Sequence, residues 1–229
     1  NGDDGSLHLL KGTYLQKDQS YFLFGLSGSQ LASAFLPLGA MEKPQVREIA
    51  RSLGVPNADA PESQDACFTP TDGSCLAEML REKFQAPKHP GRFLSTQGKI
   101  LGTHDGIHAY TIGQRKGTGV AMGSPAYVKS IHADSGNVIL TTDSADLMAG
   151  TLLLRAPNWI QKRFALLEEF PCEVKIRYRS RSVPAVVKRS RDVWSLTFAE
   201  PQRAATPGQA AVFYSGDDVI GGAWIETVI

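Results

Sequence analysis

Cysteine is scarce in this sequence, and its scarcity excludes several kinds of protein. The 229 residues include three cysteines, Cys67, Cys75 and Cys172, too few to cross-link a disulfide scaffold. Cys67 and Cys75 are not spaced as a CxxC motif, and no second pair completes a zinc site. We therefore expect a protein of a reducing, cytoplasmic compartment without a metal site.

Long hydrophobic runs are also missing. No apolar stretch approaches the roughly 20 residues that a membrane-spanning helix needs, and the opening residues Asn1–Asp4 show no feature of a signal peptide. The 24 basic and 23 acidic residues give a net charge of +1. These observations predict a soluble globular chain away from membranes. The absence of a starting methionine predicts a fragment or a processed chain.

Nucleotide-binding motifs are absent or incomplete. The sequence contains no GxxxxGK[ST] loop, and the spacing of Gly117, Gly119 and Gly123 is one residue too long for a dinucleotide fingerprint. A strand rather than a helix is expected after this stretch, so no helix N-terminus would receive a phosphate. Arg115 and Lys116 among these glycines suit a phosphodiester. A plain turn explains them equally well.

The periodicity of the chain predicts an α+β protein in three parts. Residues 1–62 show helical signals, including a helix that begins at Pro44 and ends at Gly54, and they resemble the end of a larger α/β unit. Residues 63–143 combine a helix with short strands, among them a hairpin around residues 134–136. Residues 144–229 predict a closed antiparallel β-barrel of six strands. These strands are Thr151–Arg155, Cys172–Arg179, Pro184–Arg189, Val193–Ala199, Gln209–Tyr214 and Asp218–Glu226.

One stretch, Glu62–Phe68, carries a thiol in a polar loop. It follows Pro56 and Pro61, and a segment with this composition is a poor helix or central strand. Reactive groups often lie on loops held by a scaffold, so Cys67 is a candidate nucleophile or sulfur carrier. Free cysteine is also among the most buried residue types, so a packing role is the alternative.

Positive charge is concentrated in the second half of the chain. Between Arg155 and Arg191 there are ten Lys or Arg residues and three Glu. Such a local excess suits a polyanion. A solvated strand face is the other interpretation, and composition alone does not separate the two.

Several motifs together resemble those of the tRNA-specific 2-thiouridylases, the enzymes that put sulfur on the wobble uridine of tRNA. The resemblance covers essentially the whole chain. The motifs occur in order as Lys17–Leu23, Pro37–Gly39, Val46–Ala50, Ser63–Phe68, Gly102–Gly106, Tyr110–Gly117, Lys175–Arg179 and Pro207–Ala210. Ala66, where the family usually has an aliphatic residue, and Ala223, where a third glycine is common, are small departures.

The resemblance implies a fold and a site for each part. Residues 1–62 would end an ATP-pyrophosphatase (PP-loop) domain, residues 63–143 would form a central domain with the catalytic loop, and residues 144–229 would form a tRNA-binding barrel. The family's SGGxDS phosphate loop and its first catalytic cysteine do not occur here. We therefore expect them upstream, and we expect the isolated chain to be inactive.

The resemblance also implies a reaction. ATP, with Mg²⁺, adenylates the uridine oxygen, and a persulfide on Cys67 transfers sulfur to C2. A cysteine desulfurase or another sulfur-donor protein would load Cys67, and the enzyme would act as a monomer without an organic cofactor. By the same resemblance the residues in contact with tRNA are Lys17, Asp18, Gln19, Arg177, Tyr178 and Gln209.

Two other functions fit the same sequence. The chain would be a stand-alone RNA-binding module if Cys67 had no chemical role. It would be a sulfur-relay protein if Cys67 accepted sulfur and RNA were not a substrate.

Overall fold

The computed structural model describes residues 6–60, 76–85 and 88–229. These residues form two compact units: one combines the residues up to 60 with those from 149 onward, and the other spans 61–148. The described chain is mostly β-sheet with few helices.

The helices are short. They are α1 (Ser20–Leu23), α2 (Gly28–Ser33), α3 (Lys43–Ser52) and α4 (Leu76–Lys83). A capping box between Ser27 and Gln30 starts α2, and Gly54, with a φ of +66°, follows the end of α3 as predicted. Among the described residues, no helix has the length and apolar character needed to cross a membrane.

The unit that spans 61–148 contains a four-stranded sheet. Its strands are β1 (Gly91–Ser95), β2 (Ile100–His104), β3 (Tyr127–His132) and β4 (Asn137–Thr141), in the order β2-β1-β4-β3. β3 and β4 pair as the predicted hairpin, and β1 runs parallel to β4. Phe93, Val128, Val138 and Leu140 form its core.

The other unit contains the closed barrel that the sequence predicts. Its strands are β5 (Met148–Trp159), β6 (Glu169–Lys175), β7 (Val183–Ser190), β8 (Val193–Arg203), β9 (Ala210–Ser215) and β10 (Asp218–Val228). They close in the order β10-β5-β8-β7-β6-β9. β5 continues past its predicted end because Ala156 takes a left-handed φ of 47° and the strand runs on through Pro157.

The strand β9 is buried on both faces. Ala211 and Phe213 belong to the barrel core, whereas Val212 and Tyr214 pack into a second cluster outside the barrel. That second cluster is completed by side chains from the beginning of the chain: Leu9, Tyr21, Phe24 and Leu31. Backbone hydrogen bonds reinforce the contact, since Val219 N donates to Leu9 O and Lys11 N donates to Asp217 O, both at 2.9 Å or less. The first described segment is therefore part of the barrel unit's core.

A glycine at this junction provides a test of the packing. A Cβ atom at Gly222, on β10, would lie 2.5 Å from Cδ2 of Phe24 and 3.0 Å from the carbonyl oxygen of Ala211. We expect Gly222→Ala to lower the free energy of unfolding by about 1–3 kcal/mol, because overpacking forces its neighbours apart. Urea denaturation measures this change.

The matched control is Gly150→Ala on β5. A Cβ atom there meets no atom within 4 Å, so the urea denaturation midpoint of Gly150→Ala should stay near that of the parent protein. Equal midpoints for the two variants would contradict the tight packing of the first segment against β10.

Candidate nucleic-acid interface

The structure brings three separate stretches of the chain into one connected surface. They are the loop that contains Lys17, Asp18 and Gln19, the turn that contains Arg177 and Tyr178, and the turn that leads to Gln209. The amide Nε2 of Gln19 donates to the hydroxyl of Tyr178 at 2.6 Å, across 159 residues of sequence. All six residues that the family resemblance assigned to tRNA contact therefore lie in the barrel unit.

Asp18 organises the first stretch. Its side chain is only 5% exposed, and Oδ1 accepts hydrogen bonds from the backbone N–H groups of Gly12 and Ser20, both at 3.0 Å. Oδ2 accepts from the hydroxyl of Ser20 at 2.8 Å and lies 3.9 Å from Nζ of Lys175. The carboxylate therefore fixes the loop that presents Lys17 and Gln19. A direct contact between Asp18 and tRNA stays a prediction.

An aromatic group lies beside Gln19. The ring of Tyr178 is 4.6 Å from the ring of Phe22 and 6.3 Å from that of Tyr21, measured between centroids. Phe22 is 56% exposed although it is a large apolar residue. Exposed aromatic faces next to polar groups are what unpaired bases stack on.

Arg177 and Tyr178 lie in a turn and not on a strand, so the predicted strand Cys172–Arg179 was too long. β6 ends at Lys175, and the carbonyl of Arg177 accepts hydrogen bonds from the backbone N–H of Ser180 at 3.1 Å and from its hydroxyl at 2.8 Å. These bonds close the turn, whereas alternation of polar and apolar residues predicted a continuing strand.

The turn that precedes Gln209 is held by Arg177. Nη2 of Arg177 donates to the carbonyl of Ala204, which has a left-handed φ of 55° and also accepts from the hydroxyl of Thr206 at 3.0 Å. The N–H of Gln209 in turn donates to the carbonyl of Thr206 at 3.2 Å. The guanidinium therefore fixes the shape of this turn.

Buried polar atoms without partners occur at the same place. Within the described residues, Nε of Arg177 and Oε1 of Gln209 are buried and make no hydrogen bond. Unpaired buried polar groups are rare in folded proteins and mark places where a ligand or a rearrangement can satisfy them. Both predicted contact residues thus retain hydrogen-bonding capacity that the described chain does not use.

Two tyrosines connect this surface to the barrel. Tyr21 is buried and donates its hydroxyl to the carbonyl of Ala210 at 3.0 Å; burial raises its pKa, while that bond and the charge of Arg177 oppose the rise. Tyr214 is fully buried under Lys11 and Lys175, and burial raises its pKa to about 12. Both hydroxyls remain protonated near neutral pH and act as structural donors.

A serine, a histidine and an aspartate form a hydrogen-bonded chain that was not predicted from the sequence. The hydroxyl of Ser6 lies 2.8 Å from Nε2 of His8, and Nδ1 of His8 lies 3.0 Å from both carboxylate oxygens of Asp218. His8 and Asp218 are 210 residues apart, so no local pattern could reveal the pair. These hydrogen bonds link the first described residues to the start of β10.

The glycine-rich stretch in the other unit is a turn held by Gln114. Its Oε1 accepts from the N–H of Thr111 at 3.0 Å, and its Nε2 donates to the carbonyl of Lys116 at 2.9 Å. With these two hydrogen bonds in place, the side chains of Arg115 and Lys116 are exposed. Phosphate binding at this turn stays a prediction.

The candidate sulfur carrier Cys67 lies outside the described residues, as does Cys75. Cys172, on β6, is partly buried against the barrel core, and burial, together with the nearby charge of Glu173, raises the pKa of its thiol to about 12. Such a thiol is a poor nucleophile near neutral pH. Within the described part of the chain, no group of three or more His, Cys, Asp or Glu residues is arranged to hold a metal ion.

The raised pKa of Cys172 predicts slow alkylation. At pH 8 a thiol with a pKa of about 12 is ionised in about one molecule in ten thousand, so iodoacetamide should leave Cys172 unlabelled in the folded protein. Peptide mass mapping measures the label, with the urea-unfolded protein as the control. Equal labelling rates in the folded and unfolded states would contradict the buried environment of this thiol.

Comparison with known proteins covers each part of the chain. Three family models match: the tRNA methyl transferase HUP domain over residues 1–71, the tRNA methyl transferase PRC-barrel domain over 78–142, and the aminomethyltransferase beta-barrel domain over 149–225. The last of these covers most of the six-stranded barrel described above.

Curated relatives match over nearly the whole chain. The tRNA-specific 2-thiouridylase MnmA of Carboxydothermus hydrogenoformans is 40% identical over 98% of this chain and 60% of its own length, and that of Solibacter usitatus is 42% identical over 97% and 61%. The tRNA-specific 2-thiouridylase MnmA 2 of Syntrophus aciditrophicus is 39% identical over 99% of this chain and 71% of its own length. The chain thus spans about three fifths of the first two relatives. Because this similarity extends through all three matched domains, the chain belongs to the tRNA-specific 2-thiouridylase family.

Proposed function

We propose that this chain takes part in 2-thiolation of a tRNA wobble uridine, with the barrel unit binding the tRNA and Cys67 delivering the sulfur. One observation carries the tRNA-binding part. The three stretches that the family resemblance assigns to tRNA form a single hydrogen-bonded surface, joined by the contact between Gln19 and Tyr178. The fold holds these residues together, and the exposed aromatic ring of Phe22 beside polar groups at one place suits a shared ligand.

The chemistry of that surface supports RNA as the ligand. Lys17, Arg177 and exposed glutamine supply donors for phosphate and sugar oxygens, and Phe22 with Tyr178 supplies aromatic surface for an unpaired base. Asp18 and the carbonyl of Ala204 hold these groups in place before RNA arrives. Fixed donors lose less conformational entropy on binding than mobile ones.

For the remaining steps of the reaction we propose the chemistry that the family resemblance implies. A uridine carbonyl is a poor electrophile, so ATP with Mg²⁺ would first convert its O2 into an adenylate, at a phosphate loop in the part of the relatives that this chain does not match. The terminal sulfur of a Cys67 persulfide would then attack C2 and AMP would leave. A second cysteine, in the part of the relatives that this chain does not match, would attack Sγ of Cys67, which releases 2-thiouridine and leaves a disulfide between the two cysteines. A thiol reductant would reduce that disulfide, and a cysteine desulfurase or relay protein would then reload Cys67 with sulfane sulfur.

The domain roles are part of the same proposal. Residues 1–62 would end the PP-loop domain, residues 63–143 would carry the Cys67 loop, and residues 144–229 would form the tRNA-binding barrel. The high pKa of Cys172 supports Cys67 over Cys172 as the sulfur carrier, because sulfur transfer near neutral pH requires an acidic sulfur group.

We expect Lys17→Ala and Tyr178→Ala each to weaken tRNA binding by about tenfold, the first by losing a phosphate contact and the second by losing a stacking face. Lys17→Ala should also reduce the slope of log K against log salt by about 1. Fluorescence anisotropy with labelled tRNA measures both quantities.

The matched control is Lys99→Ala, which removes an exposed lysine in the other unit. Its affinity and salt slope should match those of the parent protein. If Lys17→Ala and Tyr178→Ala also bind tRNA like the parent, the proposed interface is wrong.

In the full-length enzyme, Cys67→Ser should abolish thiolation while tRNA affinity stays within about twofold, because a hydroxyl cannot carry sulfane sulfur. Cys172→Ser is the matched control and should retain activity. Liquid chromatography of digested tRNA measures 2-thiouridine directly, and thiolation by Cys67→Ser would remove the catalytic role.

The same preparations separate the two other functions. A stand-alone RNA-binding module would bind tRNA and show no gain of sulfur on Cys67 after incubation with a cysteine desulfurase. A sulfur-relay protein would show the 32 Da gain by mass spectrometry and no binding of tRNA. The proposal requires both binding and sulfur uptake.

A further inference from the structure

A cavity in the barrel unit is separate from the surface described above. It has a volume of about 590 Å³, within the range of small-ligand sites. Three segments line it: Ser6–His8, Ser27–Ser29, and Trp159–Arg163 at the end of β5. None of the six predicted tRNA contacts is among these lining residues.

The polar groups of this cavity are mainly donors. Lys162 and Arg163 contribute two cations, and Ser27 and Ser29 contribute hydroxyls. No described lining residue is an aspartate or glutamate, and the salt bridges of the described chain involve neither Lys162 nor Arg163. Some other basic side chains of the barrel unit, among them Lys188 at 3.2 Å from Glu169, do have a carboxylate partner. An excess of unbalanced donors favours an anion.

Gln161 provides an independent indication of a ligand. Its side chain is only 7% exposed, and its Oε1 accepts a hydrogen bond from Nη2 of Arg163 at 3.0 Å. Its Nε2 is buried and, among the described residues, makes no hydrogen bond. Because the oxygen is occupied, the part of the amide that lacks a partner is a donor, and an unsatisfied buried donor is costly.

The walls of the cavity are fastened to the barrel. The backbone N–H groups of Ile160 and Gln161 both donate to the carbonyl of Ile220, at 3.1 and 3.0 Å. Nδ2 of Asn158 donates to the carbonyls of Phe24 and Leu26, at 2.6 and 2.9 Å, just before the Ser27 wall. His8 is fixed by Asp218 at 3.0 Å. The backbone of the site is therefore held in place before a ligand enters, whereas Nε2 of Gln161 reaches a ligand only when its buried side chain turns toward the cavity.

We propose that this cavity binds a phosphate group of an RNA nucleotide, with Gln161, Lys162 and Arg163 as its donors. RNA as the source of the phosphate rests on the proposed function, whereas the preference for an anion rests on the cavity alone. The cavity would add a second point of contact with RNA in addition to the Gln19–Tyr178 surface.

The test uses variants of the full-length protein and three probes: a fluorescein-labelled single-stranded oligouridylate, uridine monophosphate and inorganic phosphate. Gln161→Glu keeps the size of the side chain, removes its donor and adds a negative charge. Lys162→Ala removes an exposed cation without touching the core. We expect each to weaken oligonucleotide binding by about tenfold, and Lys162→Ala to lower the salt slope by about 1.

The matched control is Gln202→Glu, which makes the same change of charge on β8 outside the cavity and should bind within about twofold of the parent. Thermal melts establish that the variants are folded. If Gln161→Glu does not fold, the oligonucleotide affinity and salt slope of Lys162→Ala alone test the inference. The side-chain amide signal of Gln161 in a nitrogen-15 NMR spectrum should shift when the oligonucleotide is added.

The outcomes separate this inference from the proposed function. If the cavity variants bind RNA like the parent while Lys17→Ala is impaired, the cavity inference fails and the proposed function stands. If the cavity variants are impaired while Lys17→Ala and Tyr178→Ala are not, the cavity stands and the proposed interface fails. If inorganic phosphate or uridine monophosphate binds and the oligouridylate does not, RNA is not the source of the phosphate. If none of the three probes binds, the inference is wrong.

Discussion

The burial of β9 on both faces is the constraint from which most of the barrel unit follows. The part of β9 with the sequence Ala-Ala-Val-Phe-Tyr is mainly apolar, and its one polar side-chain group, the hydroxyl of Tyr214, is itself buried. Both faces of this part of the strand therefore need an apolar cover. The barrel core covers one face, and Leu9, Tyr21, Phe24 and Leu31 cover the other. The beginning and the end of the chain are thereby joined in one hydrophobic core.

That joint core explains the position of the candidate interface. Tyr21 packs against β9 and donates to the carbonyl of Ala210, which places its neighbours Gln19 and Phe22 beside Tyr178. Asp18 then fixes the loop before α1, and Arg177 fixes the turn before Gln209. Buried groups provide the rigidity and exposed groups provide the contacts, which is the arrangement that a preorganised binding surface requires.

The sequence predicted the elements that local patterns control. The β3–β4 hairpin and the six-stranded barrel followed from alternation and turn glycines, and the end of α3 followed from Gly54. Strand ends were less predictable. The first predicted barrel strand ended at Arg155, although the left-handed Ala156 lets β5 continue to Trp159. Alternation through Arg179 concealed the turn that Ser180 closes. The link between His8 and Asp218 and the unpaired donor of Gln161 depend on tertiary packing, which no local pattern encodes.

The shared core also imposes an order on how the molecule is made. Leu9, Tyr21 and Phe24 leave the ribosome long before the β9 strand that covers them has been synthesised. These side chains therefore stay exposed to water, or bound to a chaperone, while most of the chain is made. The contacts that position Gln19 against Tyr178 require the completed barrel. A nascent chain of this protein therefore cannot assemble the surface that joins Gln19 to Tyr178 until translation of the barrel is finished.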